Sequence, residues 1–247
     1  AGSNTIKTYG GNDKVYGGKG TDTVELGDGN DYVRVGGGAE SFDGGAGKDY
    51  ISYYDSTGGV NINLATDAVS GSWASNDTIS GFESASGSRV GGDVIYGTAG
   101  SNTIKTYGGN DKVYGGAGND KIEGGSGKDS IEGGSGQDYM YAGNDSDRDV
   151  FIFRDIDDTV TGSQRDHIYQ FDSGEDDIDL SFIDANEALS GDQSFTFSSN
   201  GAAANSVWTQ DSGSNVLVKG DVNGDTIHDF EIYVATVDDL YVYDFIL

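Results

Sequence analysis

The chain contains no cysteine and no proline. Without cysteine there is no disulfide framework and no thiolate metal centre. The lack of proline suits a backbone of strand ladders and tight turns, in which nearly every N–H is needed as a donor. Only two histidines occur in 247 residues, His167 and His228, which argues against a zinc site. Basic residues are scarce: 14 Lys and Arg stand against 42 Asp and Glu, for a net charge of −28. Such a chain repels nucleic acid and anionic membranes and attracts cations. No apolar run approaches the length of a membrane span. No secretory leader is recognisable, and the chain begins inside a repeat, so it is expected to be a piece of a longer polypeptide. Neither HExxH nor GxSxG occurs, and each histidine lacks a Ser, Cys or HxxxH context. Nothing points to a catalytic constellation, and no enzymatic activity is expected of this segment by itself.

What the chain does have is 42 glycines, at only 34% apolar residues, a composition that leans towards disorder unless something else stabilises it. The glycines are ordered in register. The pattern GGxGxDxUx, with U apolar, is complete at residues 17–25, 44–52, 115–123, 124–132 and 133–141. Its sixth position runs in steps of nine through Asn4, Asp13, Asp22, Asp31, Glu40 and Asp49. A second series runs through Asp93, Asn102, Asp111, Asp120, Asp129 and Asp138, with Asp147 as a looser continuation. The apolar position follows two residues later, as Ile6, Val15, Val24, Val33, Phe42 and Ile51, then Ile95, Ile104, Val113, Ile122, Ile131 and Met140.

Each xUx segment suits a short strand and each GGxGxD segment a turn, so two nonapeptides make one coil of about 18 residues. Coils stack at about the 4.8 Å strand spacing. Asp111 then lies over Asp129, Asp120 over Asp138 and Asp13 over Asp31. Fully burying one apolar residue per repeat contributes about 1.5–3 kcal/mol. Two carboxylates about 5 Å apart repel by about 3 kcal/mol at an effective dielectric of about 20. A counter-ion is therefore required. Carboxylates and loop carbonyls are hard oxygen donors, which selects Ca2+, in several ions. The expected carbonyl donors are Gly17, Gly18 and Gly20 in the first array. In the second they are Gly115, Gly116, Gly118, Gly124, Gly125, Gly127, Gly133, Gly134 and Gly136.

This pattern resembles the RTX (repeats-in-toxin) nonapeptide family, whose repeats form a calcium-binding parallel β-helix. The expected fold is all-β, a right-handed parallel β-roll with a β-rich C-terminal cap. The expected organisation is a first array over 1–52, a degenerate insert continuing the coil over 53–90, a second array over 91–150 and the cap over 151–247. One turn, AGSNTIKTYGGNDKVYGG, occurs unchanged at 1–18 and 99–116. The offset of 98 residues is not a multiple of nine, and the slip falls in the insert. Lys7, Lys14, Lys105 and Lys112 of this turn flank apolar positions and should point outward, with tyrosines nearby. They form either a solvated face or a grip for an extracellular polysaccharide, with calcium structural or bridging uronates.

After residue 142 glycine thins out and 23 acids face 4 bases. The tail resembles the C-terminal region of serralysin-type secreted proteases at DSGEDDIDLSFID (Asp172–Asp184), GDQSFTF (Gly191–Phe197), DVNGDTIHDFEI (Asp221–Ile232) and DFIL (Asp244–Leu247). The protease domain itself is missing. The resemblance implies export by a type I ABC exporter that reads Asp244, Phe245, Ile246 and Leu247. It also implies a secreted, extracellular setting in a Gram-negative bacterium, and a role in stabilising an upstream domain. Within the tail, Asp221, Asn223, Asp225 and Asp229 have the spacing of EF-hand positions 1, 3, 5 and 9, but Ile232 stands at position 12. A calcium loop and a plain acidic turn are both open there.

Overall fold

The computed structural model describes residues 2–186 and 188–247. It is a parallel β-roll whose strands come from the expected xUx segments. Strand partners stand 18 residues apart, as in Val15↔Val33, Val24↔Phe42, Ile104↔Ile122 and Val113↔Ile131. The middle residue of each three-residue strand faces inward while its neighbours face out, the period-two rule of a strand. Val15, Val24, Val33, Phe42, Ile51, Ile95, Ile104, Val113, Ile122, Ile131 and Met140 therefore form one continuous buried column, with Ile6 partly buried at its start.

Successive strands alternate between one long sheet and a second wall. The long sheet begins with Lys14–Tyr16, Tyr32–Arg34, Tyr50–Ser52, Ser84–Ser86, Thr103–Gly108, Lys121–Ser126, Tyr139–Tyr141 and Asp166–Tyr169, all parallel. It continues through Phe230–Ala235, Asn215–Gly220, Ser206–Asp211 and Thr196–Phe197, where antiparallel pairing enters. The second wall is in two pieces. Thr5–Lys7, Thr23–Glu25, Ser41–Asp43 and Thr78–Ser80 make the first. The second starts with the hairpin Val60–Asn63 and Ala68–Gly71 and runs through Val94–Tyr96, Lys112–Ala117, Ser130–Ser135, Val150–Ile152, Asp177–Asp179 and Phe245–Ile246.

Residues 53–90 make this change of wall. Strand partners there are 37 apart at Phe42↔Ile79 and 34 apart at Ile51↔Ala85, because the hairpin is looped out between them. Trp73 packs on the core from a loop, about 3.9 Å from the point a Cβ would occupy on Gly37. In the duplicated turn, Tyr9 and Tyr107 each take φ of 70° where the repeat has its second glycine. That backbone costs a side-chain-bearing residue about 1–2 kcal/mol.

The roll does not stop with the last recognisable repeat. Val150–Ile152, Asp166–Tyr169 and Asp177–Asp179 are further rungs, pairing as Ile131↔Phe151, Met140↔Ile168 and Phe151↔Ile178. Short 3-10 turns at Ile156–Asp158 and Gly162–Gln164 fill the longer connections between them. The last strand, Phe245–Ile246, closes the second wall against Asp177–Asp179.

Because the regular rungs at Val113, Ile122 and Ile131 each contribute a single core residue, the core is most sensitive there. Ile122→Ala is expected to destabilise the calcium-loaded protein by about 2–5 kcal/mol. Ile6→Ala, on a half-open first rung, should cost clearly less. Urea unfolding midpoints of the two variants check this ordering.

Candidate metal centre: stacked carboxylates

The sixth-position acids stand at the foot of each strand, on the inner side of the turn. In most rungs the backbone N–H donates to the carboxylate of the next. Below the long sheet the column runs Asp13→Asp31 (2.7 Å), Asp31→Asp49 (2.7 Å) and Asp49→Glu83 (2.8 Å). It resumes as Asn102→Asp120 (2.8 Å), Asp120→Asp138 (2.8 Å) and Asp138→Asp166 (2.7 Å). On the other wall the bonds are Asn4→Asp22 (2.9 Å) and Glu40→Asp77 (2.9 Å). Beyond the hairpin they are Val60→Asp93, Asp93→Asp111, Asp111→Asp129, Asp129→Asp149 and Asp149→Asp176, at 2.7–2.9 Å.

This bond occupies only Oδ1. The second oxygen, Oδ2, is buried without a hydrogen-bond partner in Asp13, Asp22, Asp31, Asp49, Asp111, Asp120, Asp129, Asp138 and Asp166. Both carboxylate oxygens of Glu40 are in the same condition. A buried unpaired acceptor is costly, and a buried unpaired anion far more so. Among the described residues no basic side chain enters the columns. Lys7 pairs with Glu25, Lys105 and Lys121 with Glu123, Arg154 with Glu132, Arg148 with Asp177, and Arg165 and Lys219 with Glu231. Burial accordingly lifts the carboxyls of the second array far above the ordinary range. Asp111 and Asp120 rise to about 6, Asp93 and Asp138 to about 7 and Asp129 to about 8. Glu40, stacked against Asp77, is raised as well.

The free oxygens fit a hard cation. Gly115, Gly124 and Gly133 leave open the space beside Oδ2 of Asp120, Asp129 and Asp138, which a Cβ at any of the three would invade. Gly116, Gly125 and Gly134 lie tight under the loops 18 residues earlier, and Gly118, Gly127 and Gly136 do the same one step on. In the first array Gly17 faces Gly36 and Gly20 faces Gly2, while Gly18 has open space around it. Among the described residues no three acidic or histidine side chains converge on one point. One acid per loop is all the repeat supplies, so an ion between loops must draw its other ligands from backbone carbonyls, which suits calcium.

Some expected residues are placed differently. Asp147 is exposed and outside the columns; Asp149 takes the rung, because two extra residues precede it. Asn102 is fully satisfied, accepting from the Thr98 N–H at 2.7 Å and donating to the Glu83 carbonyl at 2.6 Å. Asn4 donates to Asp22 and Gly2. Asp77 and Ile79 form the degenerate turn that the insert suggests; Glu83, Asp149, Asp166 and Asp176 were not singled out in the sequence, yet each stands two residues before an inward-facing residue (Ala85, Phe151, Ile168, Ile178), the one signal that marks them. In the tail, Asp221 accepts the N–H groups of Asn223, Gly224 and Thr226, and Asp229 accepts from Val222 and from the Asn223 amide. Asp225 accepts from Ile227. This loop is closed by its own hydrogen bonds and leaves no buried oxygen unpartnered, unlike the columns.

The four lysines do not share a face. Lys14 and Lys105 lie on the long sheet, Lys7 on the first piece of the other wall and Lys112 on the second. The change of wall between the copies sets the duplicated turn half a coil out of step. His167 is stacked on Tyr139 and tilted against Tyr233, each at 4.9 Å, and His228 lies 3.3 Å from Glu231.

A folded-state pKa raised above the unfolded value near 3.9 means that the native state binds more protons. Stability of the calcium-free chain is therefore greatest in acid and is lost as pH rises through about 6–8, the range of the raised aspartates. Circular dichroism in EGTA is expected to show more β-structure near pH 5 than near pH 8. Since protons and calcium compete for the same oxygens, calcium affinity should increase over that window. Order that grows with pH in EGTA would contradict this.

A family model for the RTX calcium-binding nonapeptide repeat matches four times, over residues 1–33, 20–51, 90–122 and 114–149. No curated protein matches the chain. Among solved structures, the AlgE6R3 subunit of the Azotobacter vinelandii mannuronan C5-epimerase is 29% identical over 64% of this chain and 78% of that one, with a TM-score of 0.26. The AlgE6R2 subunit of the same enzyme is 19% identical over 81% and 92%, with a TM-score of 0.37. The extracellular lipase LipA of Serratia marcescens is 16% identical over 96% of this chain and 38% of its own, with a TM-score of 0.27. At these TM-scores the superpositions are partial, and the assignment rests on the repeat and its geometry. Residues 1–51 and 90–149 thus belong to the family of RTX calcium-binding nonapeptide repeats, and the ion for which their carboxylate columns are built is Ca2+.

Proposed function

We propose that this chain is a calcium-triggered folding and export module of a larger extracellular polypeptide. The observation that carries the reading is the row of buried, unpartnered Oδ2 atoms beside a core that narrows to one residue per rung at Val113, Ile122 and Ile131. Where calcium is scarce, the columns repel and the roll stays open enough to pass through a type I ABC exporter. Outside a Gram-negative cell, millimolar calcium matches modules with Kd of about 10⁻⁴–10⁻³ M. The ions fold the roll, and an upstream domain joined to it gains stability by linkage. The repeat arrays are calcium-binding and not catalytic in this reading.

The proposed export signal supports the same sequence of events. Asp244 is buried and accepts from the Gly174 N–H (2.7 Å), the Tyr241 N–H (2.6 Å) and the Ser173 hydroxyl (3.1 Å). Phe245 and Ile246 are paired in the sheet, with Leu247 packed on the core. An exporter reads these four residues only before the roll closes. Among the described residues no helix is long and apolar enough to cross a membrane. Calcium titration followed by circular dichroism should show a cooperative gain of β signal at millimolar calcium, reversed by EGTA. Identical spectra with calcium and with EGTA would end this reading.

A second reading, a polysaccharide-binding module of a secreted enzyme or adhesin, is favoured by one feature. A groove on the outer face of the long sheet is lined by Tyr50 and Tyr139, by Lys48 and Lys121, and by Asn119 and Ser101. Aromatic faces, cations and amides together suit a sugar chain bearing carboxylates. Affinity electrophoresis in a polyuronate gel should show retardation that Lys121→Ala and Tyr139→Ala each reduce several-fold. Equal retardation of both variants and the parent would exclude this groove.

A further inference from the structure

We propose that a divalent cation site lies beyond the nonapeptide arrays, between Asp138 and Asp166, and that its donor chemistry selects calcium. This rests on the reading that the columns bind calcium, and extends it to a rung that the repeat pattern does not mark. Residues 161–169, TGSQRDHIY, keep only Gly162, Asp166 and Ile168 of the pattern, and the family match ends at 149. The fold nevertheless treats the segment as a coil. Gly162 has φ of 81° at the second-glycine position, and Ile168 pairs with Met140 in the long sheet.

The carboxylates are arranged as in the arrays. The Asp138 N–H donates to Asp166 Oδ1 at 2.7 Å. Both residues are 0% exposed, and the Oδ2 atoms of both have no hydrogen-bond partner. The column ends here. The Asp166 N–H donates to the Thr159 hydroxyl at 3.1 Å, and that hydroxyl donates to the Glu231 carbonyl at 2.9 Å, so no further rung relieves the pair. No base relieves it either. Arg165 is engaged with Glu231 at 2.8 Å, and the His167 ring lies in its tyrosine stack. Asp158, on the 3-10 turn, adds a third negative charge that acts on both carboxyls.

A proton relieves this arrangement only in part: it neutralises one carboxyl and leaves the other anionic, buried and short of partners for its remaining lone pairs. A cation shared by the two Oδ2 atoms satisfies both at once, with the remaining ligands drawn from carbonyls or water. The loop at Asp221–Asp229 shows the contrast: its carboxylates bond to backbone N–H groups of the same loop.

The test uses the whole chain and calcium alone. Asp166→Asn keeps the Oδ1 acceptor for Asp138 and removes the anionic oxygen. Equilibrium dialysis with radiocalcium is expected to give one ion fewer per chain for Asp166→Asn than for the parent, with the other ions retained. An unchanged stoichiometry overturns the proposal. Should the variant fail to fold, crystals of the unaltered protein grown in calcium decide it, through an anomalous difference peak between Asp138 and Asp166. Peaks along the arrays with none at this position overturn this site alone. A parent chain that binds no calcium removes the proposed function, and this site with it.

Discussion

The structure depends on one arrangement: a carboxylate whose first oxygen is tied to the backbone of the neighbouring coil and whose second faces nothing. The first bond sets the stacking distance and the register. The second oxygen makes that stacking unfavourable until a cation arrives. Since Oδ1 of Asp120 and Asp138 each accept a backbone N–H from the preceding rung, the acids cannot turn away without breaking the coil. In the function proposed above, folding and metal binding are thereby one event, as in other small domains where a preformed site does not survive unfolding.

The core is thinnest where the repeat is most regular. Val113, Ile122 and Ile131 are fully buried and are each followed two residues later by glycine, whereas Val24, Val33, Ile51 and Phe151 are each backed by a second buried residue, Leu26, Val35, Tyr53 and Phe153. A chain this acidic and this rich in glycine has little to hold it together by hydrophobic burial alone. The basic residues do not compensate, because they pair with acids outside the columns, most of them on the outer faces of the strands, as Lys105 and Lys121 do with Glu123. The C-terminal region then supplies what an open roll lacks, an end cover, through the antiparallel strands Ser206–Asp211 and Asn215–Gly220 and the last strand at Phe245–Ile246.

The nine-residue step made much of this legible in advance. It placed Asp111 over Asp129 and Asp120 over Asp138, and it named the buried apolar positions. It failed where the step slips. Two extra residues moved the rung from Asp147 to Asp149, and longer connections hid Asp166 and Asp176. A looped-out hairpin between Phe42 and Ile79 hid Glu83 and put the two copies of the duplicated turn half a coil apart. Strand pairing tolerates such insertions because they sit in turns, where chain length costs little loop entropy. A periodic reading has no means of seeing across them. What it could not supply in any case is which oxygen of each acid is already taken, since that is a property of the assembled coil.

The central claim is that the cation stands in for a hydrophobic interior. Small-angle scattering at neutral pH tests it most directly. With millimolar calcium the account predicts a radius of gyration a few ångströms above the roughly 18 Å expected of a compact chain of this length. In EGTA it predicts expansion towards the roughly 55 Å of an unfolded one. A radius that stays the same when calcium is removed would contradict it.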